Sequence, residues 1–169
     1  MNTHTVFDSP IGPLTAVAND AGLAAVYMAE HLRRPGWETF GERVSASASP
    51  VLAAAVEQLG EYFAGVRTEF AVPLAPAGNS FQHRVWNALR RIPYGEVRTY
   101  GDIAAMLGDR SMAQAVGSAN GRNPISIIVP CHRVVGADGS LVGFAGGLER
   151  KQFLLELENP TRTHTEALF

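Results

Sequence analysis

The run Pro130-Cys131-His132-Arg133 holds the residues best suited to chemistry, because it sets the only cysteine of the chain directly before a histidine and an arginine. A thiol attacks as its thiolate, so a nucleophilic cysteine needs a base or a positive neighbour to lower its pKa from about 8.5. Side chains adjacent on an extended strand point to opposite faces. The chain must therefore turn at Pro130-Cys131 if His132 is to reach the sulfur, directly or through a water, with an acid from elsewhere orienting the imidazole. For an arbitrary Cys-His pair, a small buried hydrophobe beside a satisfied polar neighbour is the better reading. The setting reverses that preference, since Asn123-Pro124 and Gly146-Gly147 bracket the cysteine with turn residues. A lone cysteine forms no internal disulfide and no thiolate-rich zinc site, which leaves it inert, catalytic or redox-active.

The elements that must position this run fall into two sets. Apolar bursts at residues 5–7, 14–18 and 23–28, separated by Ser9-Pro10-Ile11-Gly12-Pro13 and Asn19-Asp20-Ala21-Gly22, predict strands joined by tight turns. A Gly-, Pro- and Ser-rich stretch at 33–49 follows, and Ser49-Pro50 then opens a helix carrying Leu52, Val56, Leu59 and Phe63. Pro73, Pro76 and Gly78 mark a linker, dividing the chain into an N-terminal α/β domain with its linker (1–78) and a mainly helical C-terminal domain (79–169).

In the second half, Ser80 is expected to cap a helix carrying Phe81, Val85, Trp86 and Leu89. Thr99 caps residues 100–107, with Gly108 as the stop, and Ser111 caps 112–120. Two short helices with a tight turn between them make a helix-turn-helix candidate. Residues 125–129, Ile-Ser-Ile-Ile-Val, predict a buried strand that delivers Cys131, and Val134, Val135, Asp138-Gly139 and Leu141 predict a return hairpin. A last helix carries Leu148, Leu154, Leu155 and Leu157, and 159–169 reads as a loose tail.

With 46% hydrophobic and 18% charged residues, the 169-residue chain can fill an ordinary globular core. No apolar run reaches the length of a membrane span and the N-terminus lacks a signal-peptide layout, so a cytoplasmic home is expected. The net charge of -2 conceals an asymmetry: residues 1–78 hold 4 Arg against 8 acids, whereas 79–133 hold 7 Arg against 3. Basic charge gathered around the cysteine fits a phosphate-facing surface and equally a solvated helix face.

Asn123-Pro124, the run Ile-Ile-Val-Pro-Cys-His-Arg-Val-Val-Gly from Ile127 to Gly136, and Gly146-Gly147-Leu148 resemble the O6-alkylguanine-DNA alkyltransferases. Ser9-Pro10-Ile11-Gly12-Pro13-Leu14, Phe81 to Leu89 with Ile92-Pro93-Tyr94-Gly95, and Ala115-Val116-Gly117 extend the resemblance along the chain. It implies an α+β fold: a ribonuclease H-like N-terminal domain, then a helix-turn-helix, winged-helix-like alkyltransferase domain. The implied partner is double-stranded DNA with alkylated bases, entered from the minor groove by a monomer that can act cooperatively. The damaged guanine would be flipped into a pocket, because its O6 carbon cannot be approached inside the base stack.

By that resemblance Cys131 takes the alkyl group irreversibly, from guanine O6 and also from O4-alkylthymine. His132 removes the thiol proton, Glu158 holds the imidazole, Tyr100 donates to the departing base and Asn123 braces the turn before the cysteine. Val134, Phe144 and Ala145 join Tyr100 around the base, while Thr99, Ser111, Gln114, Ala115, Ala119 and Arg122 face DNA. Arg84, Arg98, Arg110 and Arg122 are phosphate candidates by position.

Two departures stand out. Gln114 occupies the place where the family carries an arginine inserted into the base stack, which removes a positive charge from the step that holds the base extrahelical. Phe144-Ala145 replaces a common tyrosine, keeping the ring and losing the hydroxyl. Two rival readings follow: a lesion-binding protein of the same architecture without transfer, relatives of which lack the cysteine, and a cysteine hydrolase built on Cys131, His132 and Glu158. A hydrolase would need an oxyanion hole, and no glycine-rich donor loop flanks Cys131.

Overall fold

A computed structural model describes residues 1–31 and 35–161. The start of the Gly-, Pro- and Ser-rich stretch and most of the expected C-terminal tail lie outside the described residues. Strands β1 (Thr3–Phe7), β2 (Leu14–Ala18) and β3 (Leu23–Met28) form an antiparallel meander, and β4 (Glu42–Arg43) adds to β1 in parallel, giving the order β3-β2-β1-β4. Asn19 makes the second turn by accepting at Oδ1 from the backbone N–H groups of Ala21 and Gly22, at 2.8 and 3.0 Å.

Helix α1 (Pro50–Phe63) begins where Ser49 accepts from the Leu52 N–H at 3.2 Å, with proline in the first turn where no donor is needed. Its buried residues Leu52, Ala55, Leu59 and Tyr62 recur every three or four positions, so one stripe faces the sheet and the C-terminal half. The other sheet face carries a smaller cluster of Val17, Ala25, Tyr27 and Phe40, with Tyr27 stacked on Phe40.

The C-terminal half comprises α2 (Ser80–Leu89), β5 (Arg98–Thr99), α3 (Tyr100–Met106), α4 (Ala113–Gly121), β6 (Val134–Val135) and α5 (Leu148–Glu158). Helices α3 and α4 flank a 3-10 turn at Arg110–Met112 as the helix-turn-helix pair. Two expected caps are displaced. Asn79 caps α2 in a reciprocal box with Gln82, leaving Ser80 as the first helical residue; Asp109 caps the 3-10 turn by accepting from the Ser111 N–H. Thr99 does cap α3, in a box with Asp102.

The strand expected at 125–129 does not form. Only Ile125 bridges Val26, on the β3 edge, through Val26 N–H to Pro124 O at 2.9 Å and Ser126 N–H to Val26 O at 3.3 Å. The Asn123 side chain takes the Ile125 N–H and both the Ile125 and Val129 carbonyls, and Ile127 adopts φ 73°, so the backbone folds into turns rather than a ladder. The expected return hairpin is also replaced: Val134–Val135 pairs in parallel with Arg98–Thr99, and a turn closes from Gly136 N–H to Ser140 O with Leu141 outside any strand. This parallel pairing carries Tyr100, at the start of α3, beside the cysteine turn. Among the described residues no helix is long and apolar enough to cross a membrane, and no group of three His, Cys, Asp or Glu could hold a metal ion.

Candidate active site

Cys131 opens a 3-10 turn (Cys131–Arg133), and this turn is the change of direction that an extended chain would have denied to His132. All three residues are buried. His132 meets Glu158, the last residue of α5, through Nε2 and Oε2 at 2.7 Å. With its Nε2 proton donated to the carboxylate, the imidazole keeps a lone pair on Nδ1, which has no hydrogen-bond partner among the described residues. Burial pushes the His132 pKa down even though Glu158 pulls it up, so the ring stands as a neutral base.

Glu158 is held from several sides. Arg133 donates from Nε to Oε1 at 2.7 Å and from Nη2 to Oε2 at 3.0 Å, and anchors itself through Nη1 to Ile92 O at 2.7 Å. The Tyr62 hydroxyl, from α1, donates to Oε2 at 2.6 Å. Burial by itself would raise the carboxyl pKa; hydrogen-bonded His132 and the Arg133 guanidinium outweigh it and hold Glu158 ionised, far below the usual range. Arg133, the positive neighbour in the motif, is thus committed to the carboxylate.

The cation near the thiol is Lys151, on α5. It is fully buried, donating from Nζ to Val134 O at 2.6 Å and to Val142 O at 2.8 Å. Burial depresses its pKa to about 8, with Cys131 pulling the other way. Burial raises the Cys131 thiol, countered by the Asn123 side chain and by Lys151. The resting sulfur is therefore a thiol that must hand its proton on before it attacks.

Tyr100 donates its hydroxyl to Val142 O at 3.2 Å, so Tyr100 and Lys151 meet at one carbonyl of the loop that leads to Gly146-Gly147. Its ring lies against Gly117 of α4, where a Cβ would sit 3.7 Å from it in ordinary van der Waals contact. Burial and the nearby Cys131 raise the Tyr100 pKa, keeping its proton in place. Val134 and Phe144 are buried and Ala145 is half-buried.

The DNA-facing candidates divide. Gln114 and Ala115 are exposed on α4, and Ser111 is exposed with its hydroxyl donating to Asp109. Thr99 spends its hydroxyl on the α3 cap. Ala119 requires correction as a surface residue: it is 3% exposed, lies with Val116 and Asn120 on the stripe facing the core, and its carbonyl accepts from Trp86 Nε1 at 2.9 Å. Ser118 is exposed in its stead. Arg122 is exposed and borders a cleft of about 540 Å³ lined also by Tyr27, Phe40 and Ala75. Arg84 donates to Leu107 O, Arg98 pairs with Glu96 at 3.0 Å and Arg110 lies 3.7 Å from Asp102.

Reading the sequence missed Tyr62 and Lys151. A tyrosine on an apolar helix stripe looks like core, and a lysine inside a helix looks solvated. The only available signal for Lys151 was that it is the sole lysine, set on the buried side three residues before Leu154.

Two family models match this chain: "6-O-methylguanine DNA methyltransferase, ribonuclease-like domain" over residues 2–76, and the "DNA binding domain" of the same name over residues 80–160. A methylated-DNA–protein-cysteine methyltransferase of Mycolicibacterium paratuberculosis is 50% identical over 99% of this chain and 96% of its own length. The constitutive enzyme of that name from Bacillus subtilis is 42% identical over 94% and 96%. Among solved structures, Mycobacterium tuberculosis OGT in complex with DNA superposes with a TM-score of 0.86 at 47% identity, covering 98% of this chain and 94% of that one. An O6-methylguanine DNA methyltransferase from Methanococcus jannaschii gives 0.67 at 31% identity, over 94% and 95%.

Proposed function

This chain belongs to the 6-O-methylguanine DNA methyltransferase family, and we propose that it repairs alkylated DNA by moving the O6-alkyl group of a guanine onto Cys131. The reading rests above all on the Cys131-His132-Glu158 arrangement, in which a neutral imidazole is fixed by a carboxylate and its second nitrogen is left to accept a proton.

His132 takes the thiol proton and the sulfur attacks the alkyl carbon in line. As the carbon–sulfur bond forms, the carbon–O6 bond breaks and its electron pair stays on the guanine oxygen. Tyr100 leaves Val142 O and supplies the proton the base then needs. The product is a thioether, which no thiol exchange can cleave, so each molecule acts once. The alkylated base is its own activated donor and the transfer needs no cofactor. Lys151, by holding the Val134 and Val142 carbonyls, shapes the wall against which the base is recognised.

Duplex DNA is entered from the minor groove by the exposed side of α4, with Gln114 and Ala115 leading and Gln114 occupying the space of the flipped base. The protein works as a monomer in the cytoplasm, where its thiol stays reduced. Duplex carrying a labelled O6-methylguanine tests the assignment: one equivalent of label should pass to the protein and none to water. Label released as methanol through repeated turnovers would contradict it.

A further inference from the structure

The alkyl transfer assigned above uses His132 as a base, and one oxygen of Glu158 controls how tightly the imidazole holds its protons. That oxygen, Oε2, receives the His132 ring at 2.7 Å, the Arg133 Nη2 at 3.0 Å and the Tyr62 hydroxyl at 2.6 Å. Tyr62 comes from α1, on the far side of the linker, and is fully buried against Phe63, Phe70 and Tyr94. Its ring fills the core as a phenylalanine would. Its hydroxyl is the one polar group, among the described residues, that the N-terminal domain donates to Glu158.

Arg133 already fixes the carboxylate through two hydrogen bonds, so Tyr62 is not needed to hold Glu158 in place. What the hydroxyl alters is basicity. Each donor on a carboxylate oxygen draws charge from it and weakens its pull on the other protons it receives. We propose that Tyr62 is a positioning residue for alkyl transfer, acting through Glu158: it shares Oε2 with His132, limits the carboxylate's hold on the imidazole, and keeps His132 a neutral base at lower pH. This rests on the assignment of Cys131 as alkyl acceptor, and it gives the N-terminal domain a part in the chemistry.

The groups facing this cluster act in known directions. Glu158 favours the imidazolium, whereas Arg133 on the same turn and Lys151 on α5 disfavour it. Cys131 precedes His132 in the turn, and Tyr94, after α2, lies beneath the Arg133 guanidinium, with 5.7 Å from its ring centroid. Burial and the adjoining carboxylate raise the Tyr62 pKa, so its proton remains to be donated across the working range.

The test is the pH dependence of the single-turnover methyl-transfer rate for the wild-type protein, Tyr62→Phe, Glu158→Gln and the double variant. Loss of the hydroxyl makes Glu158 more basic and raises the His132 pKa, so the ring stays protonated to a higher pH. The acid limb of Tyr62→Phe should move up by about half a pH unit or more, a roughly threefold slower reaction below the limb and an unchanged rate above it. In the Glu158→Gln background the same change should leave the limb where it was.

A purely structural role would lower the thermal midpoint and the rate evenly across pH, and that result would overturn the proposal, as would a shift that persists without Glu158. Should Tyr62→Phe fold poorly, the Tyr62 hydroxyl proton of the wild-type protein must move in NMR spectra as His132 titrates; constancy would count equally against it. Absence of label on wild-type Cys131 at every pH would instead defeat the underlying assignment.

Discussion

The turn around Cys131 and the outer face of α4 sit in one domain and are built in opposite ways. Around the cysteine, Asn123, His132, Arg133, Lys151 and Glu158 are all buried, and Glu158 alone receives hydrogen bonds from α1 and from the cysteine turn. On α4, Gln114, Ala115 and Ser118 stand exposed and carry no charge. Burying a charge is costly unless it is paired, so the folded state is stable only with these groups in register. The exposed face of α4 carries no such buried charge, so exchanging its residues costs little stability. In the proposed mechanism the reacting centre is tied to stability, whereas base delivery falls to exposed side chains that contribute little to the fold.

That contrast breaks most readily at Glu158. Glu158→Ala leaves a buried guanidinium and a buried hydroxyl without their acceptor, and is expected to cost about 3–5 kcal/mol as well as nearly all transfer. Chemical denaturation alongside a single-turnover assay checks both. A variant that loses activity at full stability would show that the carboxylate does not hold this centre together.

Asn123→Ala comes next. It strips three hydrogen bonds from the backbone that presents Cys131, at an expected cost of about 1–3 kcal/mol, with slower transfer at every pH. Urea midpoints and rates across pH would reveal it, and unaltered values would remove Asn123 from the account.

The third prediction concerns protons. Lys151 has a folded pKa of about 8, below the 10.5 of the free side chain, so from pH 8 upward the unfolded chain binds more protons and stability rises. The Cys131 thiol, raised in the folded protein, has the opposite sign over the same window. In Cys131→Ser that opposition is gone, and stability should climb by up to about 2 kcal/mol between pH 8 and pH 10, above which the raised tyrosines reverse the trend. The climb should vanish in Cys131→Ser with Lys151→Met. A flat profile in the single variant would mean that burial does not depress the Lys151 pKa and that the folded protein keeps this proton as firmly as the unfolded chain does.

The smallest effect on the protein itself is expected at the delivery face. Gln114→Arg should leave stability within about 0.5 kcal/mol. It should speed transfer from duplex several-fold, steepen the salt dependence by about one counterion and leave transfer from the free base unchanged. Equal rates on duplex for both proteins would show that charge at this position does not govern delivery.

The sequence displayed these two regions unequally. Cys131 and His132 stood out because they are contiguous, whereas Glu158, an acid at a helix end, was reached only through the family resemblance. The start and end of α3 were legible through Thr99 and Gly108, whose capping and stopping chemistry is local. Residues 125–129 misled because an apolar run signals burial without saying which backbone partner it takes, and the Asn123 side chain claimed the groups a strand would have used. Ala119 misled because a helix face cannot be assigned until its packing partner, here α2, is known. Tyr62 was invisible for a related reason: its role depends on a contact spanning 96 residues.

The most direct test of the account is the mass of the protein after reaction with duplex DNA containing O6-methylguanine, followed by peptide mapping. One addition of about 14 Da per molecule, confined to Cys131 and absent in Cys131→Ser, is the predicted result. An unmodified protein bound to the lesion, or methyl found on another residue, would contradict it.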